Sequence, residues 1–340
     1  MTAASPIPAY RIERSTRVSR IGLALAVVAV AALVSLPFWA GEDDERLIVE
    51  ICYTIALAQC WNLLAGYAGL VSVGQQAFVG IGGYALFALT ILAHVPPVPA
   101  VALAGLVAAI LAVPTALIVF RLRGAYFAIG TWVVAEVFRA VAGLIPALGT
   151  GTGMSLPVAV SRAVSESRAG REMVLYYVGL VIGIGTVAAV FAWLRSRQGL
   201  ALTAIRDSET AAGSIGVNND RTKLAVYLLA ALATGMVGAL IYLEKLRISP
   251  DAAFDVIDWT ADIIFIVVIG GIGSIEGPFI GALVFFGLRY FLADYGGWYM
   301  ILLGAVAVVI MLLAPRGLWG LLADRYDTHF FPVRRRVRLE

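Results

Sequence analysis

Histidine and cysteine are almost missing from this chain, two of each in 340 residues, and charged residues supply only 14% of it. Cys52 and Cys60 stand eight residues apart in one predicted helix, an axial rise of about 12 Å. A disulfide needs Cα atoms within about 7 Å, so these two do not pair with each other. His94 and His329 are far apart in the sequence. There is no HExxH, no paired CxxC and no Cys/His cluster at zinc spacing, which excludes a metalloenzyme built on those ligands. No GxxxxGK phosphate loop followed by Ser or Thr occurs either. ATP is therefore not bound by that route.

Apolar residues fill the space that charge leaves. They make up 61% of the chain, and the mean hydropathy is +0.91. Soluble domains carry about 45–50% apolar and about 25% charged residues, and a disordered chain is poorer still in apolar side chains. A membrane-spanning helix takes about 20 apolar residues. The composition implies an all-α, polytopic transmembrane helix bundle and leaves no room for a large domain outside the bilayer. Ten apolar windows are predicted: 21–40, 47–65, 76–93, 98–120, 125–145, 173–194, 224–243, 261–273, 278–293 and 298–314. The eighth is too short to cross unaided, and the third and eighth border Gly-rich stretches. The domain reading is a basic tail at 1–20, a membrane body at 21–322 with a polar loop at 195–223, and a second basic tail at 323–340.

The formal net charge of +3 says little as a sum; its distribution says more. With ten spans and an inner N-terminus, 17 of the 25 Lys and Arg fall in inner segments, six in outer segments, and Arg139 and Arg289 inside spans. The positive-inside rule then places both termini in the cytoplasm. Trp193, Trp259, Trp298 and Trp319 fall near span ends, where interfacial aromatics are expected. The first window ends in Pro37-Phe38-Trp39 rather than a small-residue cleavage site, so it reads as a retained helix.

Three groups of residues stand out from the apolar background. The inner loop RSRQGLALTAIRDSETAAGSIGVNNDRTKL (195–224) places Leu202, Ile205, Ala212 and Ile215 at near-helical spacing, beside a charged face of Arg206, Asp207 and Glu209. Asp207 or Ser208 is suited to cap a short helix there and Gly216 to end it. Such a helix either lies in the lipid interface or docks on a partner. Alanine in place of Trp or Phe favours docking, with a merely solvated loop as the plain alternative. The second group is AGYAGLVSVGQQAFVGIGGYA (65–85) with IGGIGSIEGPFIGA (269–282), two Gly-rich interruptions carrying Ser72, Gln75, Gln76, Ser274 and Glu276. Unwound backbone at membrane depth must be covered by protein or line a cavity, so the pair predicts either a transport pathway or tight packing through small residues such as Gly277 and Gly281. Third, Glu136 and Arg139 share a helix face at i,i+3. Each costs about 2.5–3.5 kcal/mol to insert alone, which predicts either an ion pair or a role in gating. Gln59 and Asn62 read as helix-bridging amides, and Glu42–Asp43–Asp44–Glu45 as a solvated outer loop or, less simply, a cation site.

WNLLAGYAGLVSVGQQAFVGIGGYA, LRGAYFAIGTWVVAEVFR, AIRDSETAAGSIGVNNDRTKLAVYLLAALATGMVGAL, VIGGIGSIEGPFIGA and LLAPRGLWGLL occur in that order between about residues 50 and 322. Together they resemble the branched-chain amino-acid ABC transporter permease family, in its LivM-type form. The resemblance implies one subunit of an importer in the bacterial inner membrane. Its partners are a second, LivH-type permease, two cytoplasmic ATPases that hold the ATP and Mg, and a periplasmic substrate-binding protein. It implies no catalytic or metal site on this chain, no cofactor of its own and no nucleic-acid partner. It also assigns residues 201–216 as the coupling helix, with Ile205, Arg206, Asp207, Ser208, Glu209, Ala211, Ala212, Ile215 and Gly216 at the ATPase contact. Gly216 lies seven residues after Glu209, one more than the EAA-type loop of other importers, and Gln75 stands where relatives often carry histidine. Path candidates are Asn62, Ser72, Gln75, Gln76, Tyr84, Tyr126, Glu136, Ser274 and Glu276. Leucine, isoleucine and valine are the family's main cargo; relatives take other amino acids, amides, urea or small carboxylates. The rival readings are an ion-coupled secondary transporter, whose only midplane candidates are Glu136 and Arg139, and an intramembrane enzyme, for which no nucleophile–base pair is found.

Overall fold

Runs of Ala, Leu and Val satisfy their own backbone groups when helical, the one arrangement open to a single segment in a lipid interior. The computed structural model describes residues 10–13, 17–292, 298–314, 316–326, 330–331 and 336–339. Fifteen α-helices run through them. The first half holds α1 (Arg17–Ser35), α2 (Glu42–Asn62, extended by a π turn at Leu63–Tyr67), α3 (Gln75–Ile91), α4 (Pro97–Val119), α5 (Ala125–Gly143), α6 (Val158–Val164) and α7 (Arg168–Arg195). The second half holds α8 (Arg197–Asp207), α9 (Glu209–Ser214), α10 (Asn219–Lys245), α11 (Pro250–Ala253), a π turn at Ile257–Ala261, α12 (Asp262–Gly270), α13 (Gly277–Leu292), α14 (Trp298–Leu313) and α15 (Gly317–Tyr326). Two short ribbons complete it: β1 (Tyr10–Glu13) with β4 (Arg336–Leu339), and β2 (Met154–Ser155) with β3 (Arg247–Ile248), both antiparallel.

Seven stretches are long and apolar enough to cross a membrane: Ser19–Phe38, Glu42–Tyr67, Pro97–Val119, Ala125–Gly143, Arg168–Arg195, Asn219–Lys245 and Ile301–Ala323. The third, eighth and ninth predicted windows fall short of that length, because α3, α12 and α13 have 17, 9 and 16 residues. Each of the three is bounded by a Gly-rich break rather than by a charged loop. The basic tails lie in part outside the described residues, as does the sequence around His329.

α2 and α10 form the centre, with α10 against α4 and α3, α2 against α7, and α12 against α13 and α2. Lipid tails are as apolar as leucine, so association inside a bilayer depends on close packing rather than on the hydrophobic effect. Glycine provides it here. A methyl on Gly82 would sit 2.0 Å from the Gly235 carbonyl oxygen, and one on Gly238 2.1 Å from that of Val79, where α3 crosses α10. The α12–α13 pair repeats the device: methyls on Gly270 and Gly281 would meet the carbonyl oxygens of Gly277 and Ile266 at 1.9 and 1.8 Å.

The two ends of the bundle differ in kind. One is stapled by ion pairs: Glu172 with Arg46 and, at 3.1 Å, Arg168; Arg289 with Glu50 at 2.5 Å; Arg139 with Asp251 at 2.7 Å. The β2–β3 ribbon lies at this end, and Lys245 sits 4.9 Å over the ring of Trp259. The other end carries the α2–α3 and α12–α13 breaks and the α8–α9 loop. Glu172 is buried while its two arginines are half in solvent. Glu172→Gln should therefore cost about 1–3 kcal/mol, the range for hydrogen bonds to charged groups, read as a lower thermal unfolding midpoint in detergent.

Some sequence expectations change. The acidic run is no loop: Glu42, Asp43, Asp44 and Glu45 form the first turn of α2, where the helix dipole favours negative charge. Trp259 and Trp319 are buried within the bundle; Trp259 donates to the Ala252 carbonyl, and Trp319 lies against Phe330. The side chain of Trp298 lies outside the described residues.

Candidate functional site

After its π turn α2 ends at Ala68, and residues 69–74 run back along it as irregular chain before α3 begins. Gly69, at φ +70°, makes the reversal that an L side chain would resist. Trp61 Nε1 donates to the Ser72 carbonyl at 2.8 Å, and Gln75 Nε2 to the Leu57 carbonyl at 2.8 Å. These pairings place the start of α3 several turns inside the bundle. From α5, Thr131 Oγ1 accepts from the Val73 amide at 3.0 Å. Gln76 is fully buried and joined to Thr260 twice: its amide donates to Thr260 Oγ1 at 3.2 Å, and its Oε1 accepts from the same hydroxyl.

The second break, 271–276, uses the same parts. Gly271 and Gly273 have φ of +131° and +78°. Ser274 Oγ donates to the Gly271 carbonyl at 2.9 Å and accepts from the Gly277 amide at 3.1 Å, much as Ser72 Oγ accepts from Gly74 at 3.1 Å in the first break. α2 holds this second break with two side chains. Asn62 donates to the Ser274 carbonyl at 2.7 Å and accepts from the Gly273 amide at 2.8 Å, and Gln59 donates to the Ile275 carbonyl at 2.6 Å. Glu276 is buried, and its Oε1 accepts from the Phe331 amide at 2.8 Å, so it faces the C-terminal segment.

Of the path candidates, Asn62, Ser72, Gln75, Gln76, Ser274 and Glu276 belong to this connected set of breaks. Tyr84 does not: it is buried beside Phe254, its hydroxyl unpaired. Tyr126 stands 74% exposed at the start of α5. Glu136 pairs with Arg139 at 2.7 Å as the i,i+3 spacing predicts, but on an exposed face, and Arg139 has a second partner in Asp251. Beside the first break lies a cavity of about 20 Å³, lined by Cys60, Trp61, Ser72, Gln75, Tyr227 and Thr234. That is room for one water, against about 300 Å³ or more for a typical solute pocket. Thr131, Thr260 and Asp251 were not marked by the sequence; single hydroxyls and one carboxylate carry no spacing signal.

The inner loop forms two helices where the spacing predicted one. Ser196 caps α8 by accepting from Gln198 and Gly199 at 3.2 and 3.4 Å. Ser208, extended at φ −160° and ψ +110°, breaks the run and caps α9 by accepting from the Ala211 amide at 3.3 Å. Asp207 is not the cap. Gly216, at φ +88°, follows the end of α9. Leu202, Ile205 and Ala212 are buried within the chain itself. Arg206 turns its guanidinium inward, donating to the Gly66 carbonyl at 2.8 Å. Asp207, Ser208, Glu209, Ala211, Ile215 and Gly216 remain outside. Glu209 is fixed by Lys223 at 2.7 Å, and its carbonyl accepts from Asn219 at 2.8 Å. Among the described residues no group of His, Cys, Asp and Glu could hold a metal ion.

Residues 45–315 match the family model described as branched-chain amino acid transport system, permease component. The chain belongs to this family. It is a permease component and a multi-pass membrane protein. The permease is 28% identical over 318 residues to the high-affinity branched-chain amino acid transport system permease protein LivM of Salmonella typhimurium, covering 87% of this chain and 73% of that one. Against the protein of the same name from Escherichia coli K12 it is also 28% identical, over 330 residues, covering 90% and 76%. No solved structure matches the permease.

Proposed function

We propose that this permease forms half of the translocation path of an ATP-driven importer of leucine, isoleucine and valine in a bacterial inner membrane. In this reading it docks a cytoplasmic ATPase through α9. The observation that carries the reading is the convergence of the α8–α9 loop with both backbone breaks at one end of the bundle, in a chain whose family is permease components. A second, LivH-type permease closes the path, two ATPases supply ATP and Mg, and a periplasmic protein delivers the cargo. The cavity beside the first break is too small for leucine, which supports a path completed by a second permease.

Ten crossings and cytoplasmic termini belong to the same proposal, with a body at 21–322 between the tails 1–20 and 323–340. The β1–β4 ribbon supports an even number, since it keeps the two terminal segments on one side. Seven long stretches with α3 and α13 make nine; α12 with its π turn supplies the tenth. Positive charge then chooses the side, for α8 carries Arg197 and Arg206 and the first turns of α10 carry Arg221 and Lys223.

Ile215 gives the direct test. It is 77% exposed on the capped turn beside Gly216, an apolar side chain presented to a partner. Ile215→Asp should leave insertion and thermal stability unchanged, while copurification of the ATPases falls at least tenfold. Unchanged copurification refutes docking through α9. Uptake by the purified chain alone on a proton gradient would overturn the ATP-driven reading.

A further inference from the structure

The α8–α9 loop and the two Gly-rich breaks are far apart in sequence yet meet at one side chain. Arg206 sits in the last turn of α8, two residues before the Ser208 break, and its side chain is 32% exposed. Its Nη1 donates to the Gly66 carbonyl at 2.8 Å, and its Nε and Nη2 donate to Asp207 at 3.2 and 3.0 Å. Gly66 belongs to the π turn that ends α2. Carbonyls at a helix end lack intrahelical partners, and the dipole there favours a cation. The same guanidinium borders the second break, since a methyl on Gly273 would lie 3.8 Å from Arg206 Nη1. The stem of Arg206 borders the first break too, its Cγ 3.3 Å from where a Gly69 methyl would stand. Gly66 is itself wedged against the second break: a methyl on it would meet Asn62 Oδ1 at 2.4 Å and the Gly273 nitrogen at 2.6 Å.

We infer that Arg206 is the mechanical link of the permease, a positioning residue that carries a displacement of α9 to the α2–α3 and α12–α13 breaks together through the Gly66 carbonyl. This rests on the reading of α9 as the docking element. The chemistry of the link suits the task. The planar fork holds Asp207 and Gly66 at once, so the last turn of α8 and the end of α2 move as one body. Glu209, pinned by Lys223 and by Asn219, keeps α9 rigid on the far side. A shift applied to α9 has a short, stiff route inward, while Leu202 and Ile205 supply packing that slides more readily than a hydrogen bond.

The test uses the assembled transporter in lipid vesicles, with reporter cysteines at Val71→Cys and Ile272→Cys in a background of Cys52→Ala and Cys60→Ala. Val71 and Ile272 are each 49% exposed, one in each break. Arg206→Met keeps most of the length and the apolar stem but removes all three donor nitrogens. It should assemble with the ATPases as the parent does and keep basal ATP hydrolysis within twofold. Uptake should fall at least tenfold, and labelling at both reporters should stop depending on nucleotide. Arg206→Lys, which keeps one donor and the charge, should recover part of the uptake and of the nucleotide dependence. Parental uptake and nucleotide-dependent labelling in Arg206→Met overturn the inference. So does loss of assembly in both Arg206 variants, which marks the residue as a support for the loop fold. Failure of the docking reading shows separately, as ATPases that remain bound to Ile215→Asp.

Discussion

Gly82→Ala and Gly281→Ala are each expected to leave little folded permease in the membrane, although each adds only one methyl group. The methyl on residue 82 would lie 2.0 Å from the Gly235 carbonyl oxygen and that on 281 would lie 1.8 Å from the Ile266 oxygen. Both obstacles are backbone of a packed helix, so neither can swing aside as the tip of a side chain would. The helices must part by an ångström or more, and dispersion contacts along the crossing fall off steeply over that distance. No hydrophobic force holds separated helices together in lipid. The expected cost is about 3 kcal/mol or more for each, at the upper end for overpacked cores. Fluorescence-detected size exclusion of tagged permease reads it as loss of the monodisperse peak. Gly185→Ala, Gly287→Ala and Gly304→Ala are the matched controls, because nothing lies within 4 Å of a methyl at those positions. They should hold or raise the melting temperature, since alanine favours a helix over glycine by about 1 kcal/mol. If Gly82→Ala melts with Gly287→Ala, close helix approach does not set the stability of this bundle.

Much of the bundle was legible because it is written locally. α2, α7 and α10 are long apolar runs between charged ends, and such runs have no other stable form in lipid. Glu136 and Arg139 pair as their spacing predicts because both sit on one helix face. What the sequence hides is written at long range. Arg206 reads as part of a charged outer face, yet its partner is a backbone carbonyl 140 residues away. Asp251, 112 residues from Arg139, turns a local pair into a tie between α5 and α11. Ser208 fell within a run of near-helical spacing, and its capping role was legible while the break it causes was not. Leu202, Ile205 and Ala212 are buried across the break, so their apolar spacing alone did not mark it. The Gly-rich stretches were recognisable as interruptions. That α2 itself holds the second of them, through Gln59 and Asn62, depended on a fold not visible in either stretch.

Asn62→Ala should cut uptake about tenfold while leaving the helices inserted, the second large effect expected. Asn62 is fully buried, and its amide makes two of the three side-chain bonds by which α2 holds the second break, to the Ser274 carbonyl and from the Gly273 amide. Truncation leaves two backbone groups unpaired at about 1–3 kcal/mol each. Gln59→Leu removes one bond, to the Ile275 carbonyl, and should do about half the damage to the melting temperature. Asn62→Asp separates the two halves of the amide: the carboxylate still accepts from Gly273 but no longer donates to Ser274. Its uptake should resemble that of the alanine variant if the Ser274 bond positions the break. Combining Asn62→Ala with Arg206→Met provides the sharper measurement, because both side chains bear on Gly66 and Gly273. Residues that act through a shared contact depart from additivity, and when the first change already breaks a common route the second adds little. A double variant with uptake no lower than the worse single one places Arg206 and Asn62 on one route from α9 to the break. Fully additive losses mean that Asn62 fixes the break independently of the loop, and Arg206 then acts through the first break alone.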